Sequence, residues 1–449
     1  MARKDRALFP YQEEGARWLA ENPRAGLFDS MGLGKTATLI RALNLIGARR
    51  ILVVGPATLR ENFILEWRMF SNTDLRLVKG RTVYDYVAWE RGNFDVLVTS
   101  YELAAKWYAL FAKNPGLLDA LVLDEAHYLK SGSTQRTRAL IGDGANGLDC
   151  WAQWAEYAWW STGTPIPNHP MDAHTYLRFV GGFGGNAGKF AKTFFRESGG
   201  VLEVLEEKAS EFRATMDARS LRRTKEGVGL QLPPIFLTQT LFEGDTSSIV
   251  RLVREHPGIE RDILSALDAG GLQYIAAGHV ATLRRLIGTA KAVPYAHQLA
   301  DELINAPGKR VVFGIHKAAL EIVKGVLERK GLLGYLVNGA TSEALRTEAV
   351  REFQANPNCR FFIGQIRSAG TGLTLTAAHQ IDMLESDWTP AGNAQAIMRV
   401  HRIGQEKKVH ARFITLADTL DIVVNELLAR KVRSIAEVSG ILLEASPEL

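Results

Sequence analysis

Short apolar runs recur along the chain, each closing on small polar residues and followed by a stretch with helical spacing. In the first half they fall at residues 26–28, 51–54, 95–98, 121–123 and 159–160. The rhythm returns in the second half at 310–315, 334–337, 360–363, 380–384 and 411–416. Strand-length runs separated by helical stretches predict parallel sheets with crossover helices, so the expected class is α/β with two such units. Between about 181 and 308 charged helical stretches dominate, as at 201–213 and 247–265, and the pair Pro233-Pro234 interrupts regular structure. The pattern divides the chain into an N-terminal lobe with a helical protrusion (1–235), a helical insertion or linker (236–300) and a C-terminal lobe (301–449). A helix is predicted from Pro10 to about Ala20, and an amphipathic one over 419–435.

Ligands of such sheets bind at the carboxyl ends of the strands, where the polar residues sit. The first run opens into residues 29–36, DSMGLGKT, and helical spacing resumes at Ala37. Strand, glycine loop and helix form the context of a phosphate-binding loop. Gly32 and Gly34 let backbone N–H groups turn toward an anion, and the following helix adds the positive end of its dipole. Lys35 can reach the β- and γ-phosphates of a nucleotide, and the Thr36 hydroxyl can ligate Mg²⁺. Asp29 stands where the first glycine of G-x-x-x-x-G-K-T belongs. Taken alone, the stretch also fits a glycine-rich turn with an exposed lysine.

The run at 121–123 ends in Asp124-Glu125-Ala126-His127. An acid at the end of a buried strand can hold Mg²⁺, and its neighbour can orient or deprotonate an attacking water. Asp124 and Glu125 are therefore the metal-binding and water-activating candidates, although two acids also suit a plain helix N-terminus. Upstream of the loop, Gln12 offers a donor and an acceptor to a base edge, and Phe9 offers a stacking surface for adenine. The second half has no GKT of its own, which suggests one nucleotide shared by two lobes.

Composition narrows the class. The chain has 449 residues, 46% hydrophobic and 23% charged, which suits two or three folded domains and excludes a disordered chain. A formal charge of +5 is compatible with a polyanionic partner. The two cysteines, Cys150 and Cys359, lie far apart without a metal-ligand pattern, which argues against a disulfide framework and for a reducing compartment. No run approaches the roughly 18 apolar residues of a membrane span. The basic N-terminus lacks the apolar core of a signal peptide. A soluble intracellular protein, cytoplasmic or nucleoid-associated, is expected.

In order, FPYQEEG (9–15), DSMGLGKT (29–36), VLDEAHYLK (122–130), STGTPIPN (161–168), LRRTKEGVGLQLPP (221–234), SAGTGLTLTAA (368–378) and ESDWTPAGNAQAIMRVHRIGQ (385–405) span nearly the whole chain. This set resembles superfamily-two helicases, specifically the Swi/Snf-type ATPases. LRRLIGTAKA (283–292) is similar to the HepA-related annealing-helicase branch. The resemblance implies two RecA-like lobes with ATP between them and DNA, double-stranded by preference, bound across both. It gives Gln12 to adenine, Lys35 and Thr36 to phosphate and Mg²⁺, and Asp124 and Glu125 to metal and water. It adds Gly372 and Gln395 to the nucleotide contacts and places Arg399 and Arg402 on the phosphates. Gln395, Arg399 and Arg402 stand at spacings of four and three, so a helix there would put them on one face, and guanidinium suits a transferring γ-phosphoryl group. The alternative is a basic surface stripe.

Ser30 and the form of residues 369–372 depart from the family pattern without removing a chemical group. Loops 55–59, 99–101, 316–317 and 368–371 suit sugar–phosphate contacts, and each also fits an ordinary strand-to-helix turn. Trp151, Trp154, Tyr157, Trp159 and Trp160 read as core rather than as a base-stacking platform. The expected function is a DNA-stimulated, Mg²⁺-dependent ATPase that translocates on duplex DNA and remodels or reanneals it. A strand-separating helicase and a nucleic-acid clamp with little turnover are the rivals. No chromatin-reading, zinc or nuclease segment is expected, and the short chain suits a bacterial or phage motor in repair, recombination or replication.

Overall fold

Parallel strand pairing dominates the protein. The computed structural model describes residues 7–444 apart from 112–117, 143–149, 167–169, 199–200, 231, 269–277, 367–372, 389 and 439–442. The chain forms two compact units, Met1–Thr224 and Lys225–Leu449.

In the first unit the strands are β1 (Arg24–Leu27), β2 (Ile51–Gly55), β3 (Leu77–Lys79), β4 (Val96–Ser100), β5 (Leu118–Asp124) and β6 (Ala155–Ser161). A hairpin of β7 (Phe195–Ser198) and β8 (Val201–Val204) stands apart, and β9 (Ser220–Leu221) closes one edge of the sheet. The order is β3-β4-β2-β5-β6-β1-β9, with every pair parallel. The central strands β2, β4 and β5 are largely apolar because both faces are covered. Leu52, Val54, Leu121, Leu123 and Trp160 enter one core, while Ile51, Val53, Ala120, Val122 and Trp159 enter the core on the opposite face. Trp151 and Trp154 are buried too, so these tryptophans belong to the interior.

The second unit repeats the design with β10 (Ile235–Phe242), β11 (Arg310–Gly314), β12 (Leu333–Val337), β13 (Cys359–Gln365), β14 (Gln380–Met383), β15 (Val409–Leu416) and β16 (Leu443–Glu444). Their order is β12-β13-β11-β14-β15-β10-β16, again parallel. Asp382 on β14 is fully buried and held by the guanidinium groups of Arg310 and Arg412 and by the Tyr295 hydroxyl. Burial alone would raise its pKa, but the two arginines outweigh it and keep the carboxyl below its usual range.

Three local readings change. The units meet at Thr224/Lys225, upstream of the proline pair, and residues 235–242 of the expected helical linker form β10, paired along its whole length with β15. Its Thr238, Gln239 and Thr240 dilute the apolar signal, and it begins directly after Pro234, where a connector was expected. The expected helix over 201–213 begins as β8, and its helical part is Ala209–Asp217. The stretch 247–265 is two helices, Ser247–Glu255 and Ile259–Asp268, parted at Gly258 with φ +94°. Among the described residues no helix is long and apolar enough to cross a membrane.

Candidate nucleotide site

Strand register builds the site in the first unit. Asp124, the last residue of β5, pairs with Ser161, the last of β6, which in turn pairs with Leu27 at the end of β1. Leu27 also pairs with Leu221 of β9. Four adjacent strands thus end in one row, and the DEAH acids, the STG turn, the glycine loop and the Leu-Arg-Arg stretch leave from it.

The glycine loop runs from Phe28 to Gly34 and enters the helix Lys35–Leu45, which we call α2. Gly32 and Gly34 have φ of +90° and +77°, a left-handed backbone that glycine adopts without strain. A Cβ on Gly34 would also collide with the Gln12 amide nitrogen. Lys35 opens α2 and donates from Nζ to the Asp29 carbonyl at 2.8 Å. Thr36 follows in the first turn. A loop with two left-handed glycines at the N-terminus of an eleven-residue helix fits a phosphate group.

The acids face this loop. Asp124 accepts from Ser161 Oγ at 3.2 Å and from the Glu125 amide at 3.1 Å, while Tyr101 donates to its carbonyl at 2.7 Å. Burial first and Glu125 second raise the Asp124 carboxyl well above its usual range, and Lys35 opposes them. A buried acid under that pressure is a suitable ligand for a divalent cation, whose charge removes the penalty. Glu125 is one of two non-glycine residues among those described with positive φ, at 50°, strain of the kind that turns a side chain out of a regular path. His127 Nδ1 lies 3.3 Å from Glu125 Oε2 and 3.0 Å from Thr162 Oγ1, which joins the acid pair to the STG turn.

Gln12 sits on α1 (Pro10–Glu21) and is 4% exposed. Its Nε2 donates to Leu33 O at 2.9 Å and its Oε1 accepts from Phe9 N at 3.0 Å. Tyr11 donates to the same Leu33 carbonyl at 3.0 Å. Gln12 therefore braces the glycine loop, and its amide retains one N–H and one lone pair for a further partner. Phe9 is 40% exposed beside it, stacked on Tyr11.

Asp29, the departure from the loop pattern, has a defined task. Its carboxylate is fully buried and accepts from Arg223 N at 3.1 Å and Nε at 3.0 Å, with an ion pair to the far end of the guanidinium. Arg223 also donates to Tyr11 O and lies over the Tyr11 ring. The Leu-Arg-Arg stretch, read as a marker from sequence, is thus the outer wall of the loop. A carboxylate where the loop pattern has glycine, with an arginine pair far downstream, was the signal available.

In the second unit, the segment around the arginines is only partly helical. The helix Pro390–Ile397 carries Gln395 but ends before Arg399 and Arg402. Past Ile397 the bonds are mixed: Arg399 N to Ala396 O and Val400 N to Ile397 O span three residues and Arg402 N to Val400 O only two, while His401 N still reaches Ile397 O. The shared-face argument from spacings of four and three therefore lapses at the helix end. The cause is packing: Met398, Val400 and His401 are buried and the Gln405 amide donates to the carbonyls of Val400 and Ala378, which pulls the chain into turns. Gln395, Arg399 and Arg402 are each half-buried. Gly372 and loop 368–371 lie outside the described residues.

The remaining loops divide. Thr99, Ser100 and Tyr101 are buried, with Thr99 bonded to Gly80 O and Tyr101 to Asp124 O, so 99–101 is a structural turn rather than a polyanion contact. His316 pairs with Glu385 at 2.6 Å, and the exposed Lys317 pairs with Glu321.

A SNF2-related domain is matched over residues 11–241, just over half of the chain. The chain belongs to the SNF2-related family. A helicase conserved C-terminal domain is matched over residues 295–404. Of the candidate nucleotide residues of this family member, all but Phe9 fall in one of the two stretches. The human "DNA annealing helicase and endonuclease ZRANB3" is 27% identical over 460 residues, covering 98% of this chain and 41% of that protein. An "Uncharacterized ATP-dependent helicase" of Mycoplasma pneumoniae is 25% identical over 450 residues, covering 96% of this chain and 42% of that one. The chain thus spans about two fifths of the length of these relatives. A solved structure, "Sulfolobus solfataricus SWI2/SNF2 ATPase core in complex with dsDNA", aligns with 97% of this chain and 93% of its own at 21% identity and a TM-score of 0.45. The fold assignment rests on the two sheets of this chain.

Proposed function

We propose that this chain hydrolyses ATP with Mg²⁺ and uses the energy to move along double-stranded DNA, remodelling or reannealing it. The observation that carries the reading is the shared row of strand ends, which sets the glycine loop and Lys35 beside Asp124 and Glu125. Amides of the loop and the α2 N-terminus receive the phosphates, and Lys35 exchanges the Asp29 carbonyl for the β- and γ-oxygens. Among the described residues no cluster of three or more His, Cys, Asp or Glu converges on a metal position. That suits Mg²⁺, which keeps waters and takes phosphate oxygens along with one or two protein ligands, here Thr36 and Asp124. When bound, the ion neutralises charge building on the phosphate oxygens. Glu125, turned out by its backbone and steadied by His127, orients and deprotonates the water for in-line attack.

Gln12 reads the adenine edge with its remaining valences, and Phe9 stacks on the base. Gly372 and Gln395 contribute nucleotide contacts. Arg399 and Arg402 stabilise the transferring phosphoryl group. A DNA track is supported by the net positive charge, by the strand-end loops 55–59 and 316–317, and by the annealing-helicase and helicase names of the relatives.

The test is steady-state ATP hydrolysis with no nucleic acid, single-stranded DNA, duplex DNA or RNA, each at two salt concentrations. Strong stimulation by duplex that weakens with salt is the expected result. Preference for single strands would replace translocation on duplex by strand separation. ATP binding without turnover under every condition would make the chain a clamp.

A further inference from the structure

The stretch LRRLIGTAKA (283–292) forms part of the helix Gly278–Asn305 in the second unit. Its Arg284, Gly288 and Lys291 stand at spacings of four and three inside a continuous helix, so they share one face. That face grips the segment that leaves β14. Arg284 donates from Nη2 to Ser386 O at 3.1 Å, and its guanidinium carbon lies 4.1 Å from the centre of the Trp388 ring. Gly288 is buried against Glu385, and a Cβ there would collide with Glu385 Oε1. Lys291 is 1% exposed and donates from Nζ to Ile414 O and to Asp421 Oδ2, both at 2.6 Å, which ties the helix to the end of β15.

Glu385 passes this grip on to the end of β11. Its carboxylate is buried, with Oε2 accepting from the amides of Ile315 at 2.9 Å and His316 at 2.8 Å and Oε1 accepting from His316 Nδ1 at 2.6 Å. Burial alone would raise its pKa, but His316 above all, with the Ile315 amide, keeps the carboxyl below its usual range. Nδ1 is committed to the buried carboxylate, so the nitrogen left for an outside partner is Nε2, on a side chain that is 25% exposed. In its doubly protonated form the ring pairs with the carboxylate and donates from Nε2 as well.

His316 is also the N-cap of the thirteen-residue helix Lys317–Arg329, and its side chain does not cap the first turn. A cationic donor beside uncapped helix amides suits a phosphate oxygen, and such contacts position a protein on nucleic acid without reading its sequence.

We propose that His316 Nε2 is a phosphodiester contact of the second unit, held in place by Glu385 and by the Arg284, Gly288 and Lys291 face behind it as positioning residues. This rests on the reading of DNA as the partner and deepens it, by naming the donor that meets the backbone and the residues that aim it. Gly288 is glycine because any side chain there would push Glu385, and with it the imidazole, out of place.

The experiment measures the affinity of the full chain for a short fluorescent DNA duplex across a salt series, without nucleotide. His316→Gln keeps a donor for Glu385 and removes the charge. It should weaken binding by roughly tenfold and flatten the slope of log affinity against log salt by about one, the mark of one lost phosphate contact. Glu385→Gln and Gly288→Ala should each reproduce that loss, and neither should add to it in the His316→Gln background. A purely structural role would give additive losses with the slope unchanged. Thermal midpoints taken alongside separate loss of fold from loss of contact, and the part-exposed His316→Gln tests the contact even where a buried variant unfolds. Parental affinity and slope in His316→Gln would overturn the contact. Additive losses in the double variants would overturn Glu385 and Gly288 as its positioning residues. A parent without affinity for duplex at any salt removes the DNA reading itself, and the contact with it.

Discussion

The strand-end edge of the first unit and the 390–405 segment of the second hold their charged groups by different means. On the edge, the register of β5, β6, β1 and β9 fixes where each side chain starts, and short side-chain bonds finish the placement. Asp124, Glu125, Lys35, Asp29 and Gln12 each have a named protein partner within 3.3 Å. In the second unit the backbone around the arginines is pinned, through Leu375 N to Arg399 O, through the Gln405 amide and through His401. One region fixes side chains in advance, as the proposed phosphate and metal roles require. In the other, tertiary bonds fix the stretch of main chain from which the arginines leave.

The sharpest way to break this comparison is to remove an arginine. Arg399→Ala and Arg402→Ala should each leave ATP affinity near normal and lower turnover by roughly 10³–10⁵, the range for a supplied arginine. Parental rates in both variants would leave the second unit without a part in the chemistry. Next comes Glu125→Gln, which keeps the shape of the side chain and removes its basicity. Turnover should fall by roughly 10²–10⁴ with ATP binding retained, and retained turnover would end its assignment as base. Lys35→Ala should act on binding itself. Loss of a charged hydrogen bond of about 1.5–3 kcal/mol weakens ATP affinity by roughly ten- to a hundredfold, read by titration with a fluorescent analogue.

The two regions were also unequally legible. Local motifs with invariant spacing give the glycine loop, the DEAH acids and the apolar strand runs, because each is set by neighbours within a few residues. Contacts across the chain leave almost no local trace. Arg223 lies 194 residues from Asp29 and Lys225 lies 176 from His401, and neither pairing follows from spacing. The same blindness shifted the domain boundary, since β10 is a strand by virtue of β15 and not of its own mixed residues. It also extended the 390–397 helix too far, because the turns after Ile397 come from tertiary bonds to Ala378, Pro233 and Leu375.

Asp29→Gly turns that lesson into a measurement. The substitution restores the glycine of the common loop pattern, so sequence reasoning alone predicts neutrality or gain. The structure predicts loss. Asp29 is fully buried, Arg223 is mostly so, and removing one member of such a pair strands the other. Unfolding stability should fall by about 3 kcal/mol, read by denaturant titration. An unchanged midpoint would mean that Arg223 finds another partner and that the loop wall is not built on this pair.

The smallest effect concerns the second unit. Burial first, and then the Lys225 charge, hold the His401 imidazole down to about 3, against the pull of the Pro233 carbonyl. The folded value is depressed below the ordinary 6.5, so the unfolded chain takes up the proton first as pH falls. Stability is therefore full above about pH 6.5 and drains as pH drops toward 3. Between pH 7.5 and pH 4.5 the loss from this one group should reach about 2–3 kcal/mol. His174, His379 and His410 are also held low, each chiefly by burial, so the slope of the parent alone does not isolate His401. The informative quantity is the parent minus His401→Gln, since glutamine can still donate to Pro233 O and accept from Lys225 without titrating. A parent that loses stability more steeply than the variant would confirm that a neutral imidazole locks the main chain between the two arginines. Parallel slopes would mean that the bonds from the Gln405 amide and from Leu375 N suffice, and the second region would then be held by amides alone.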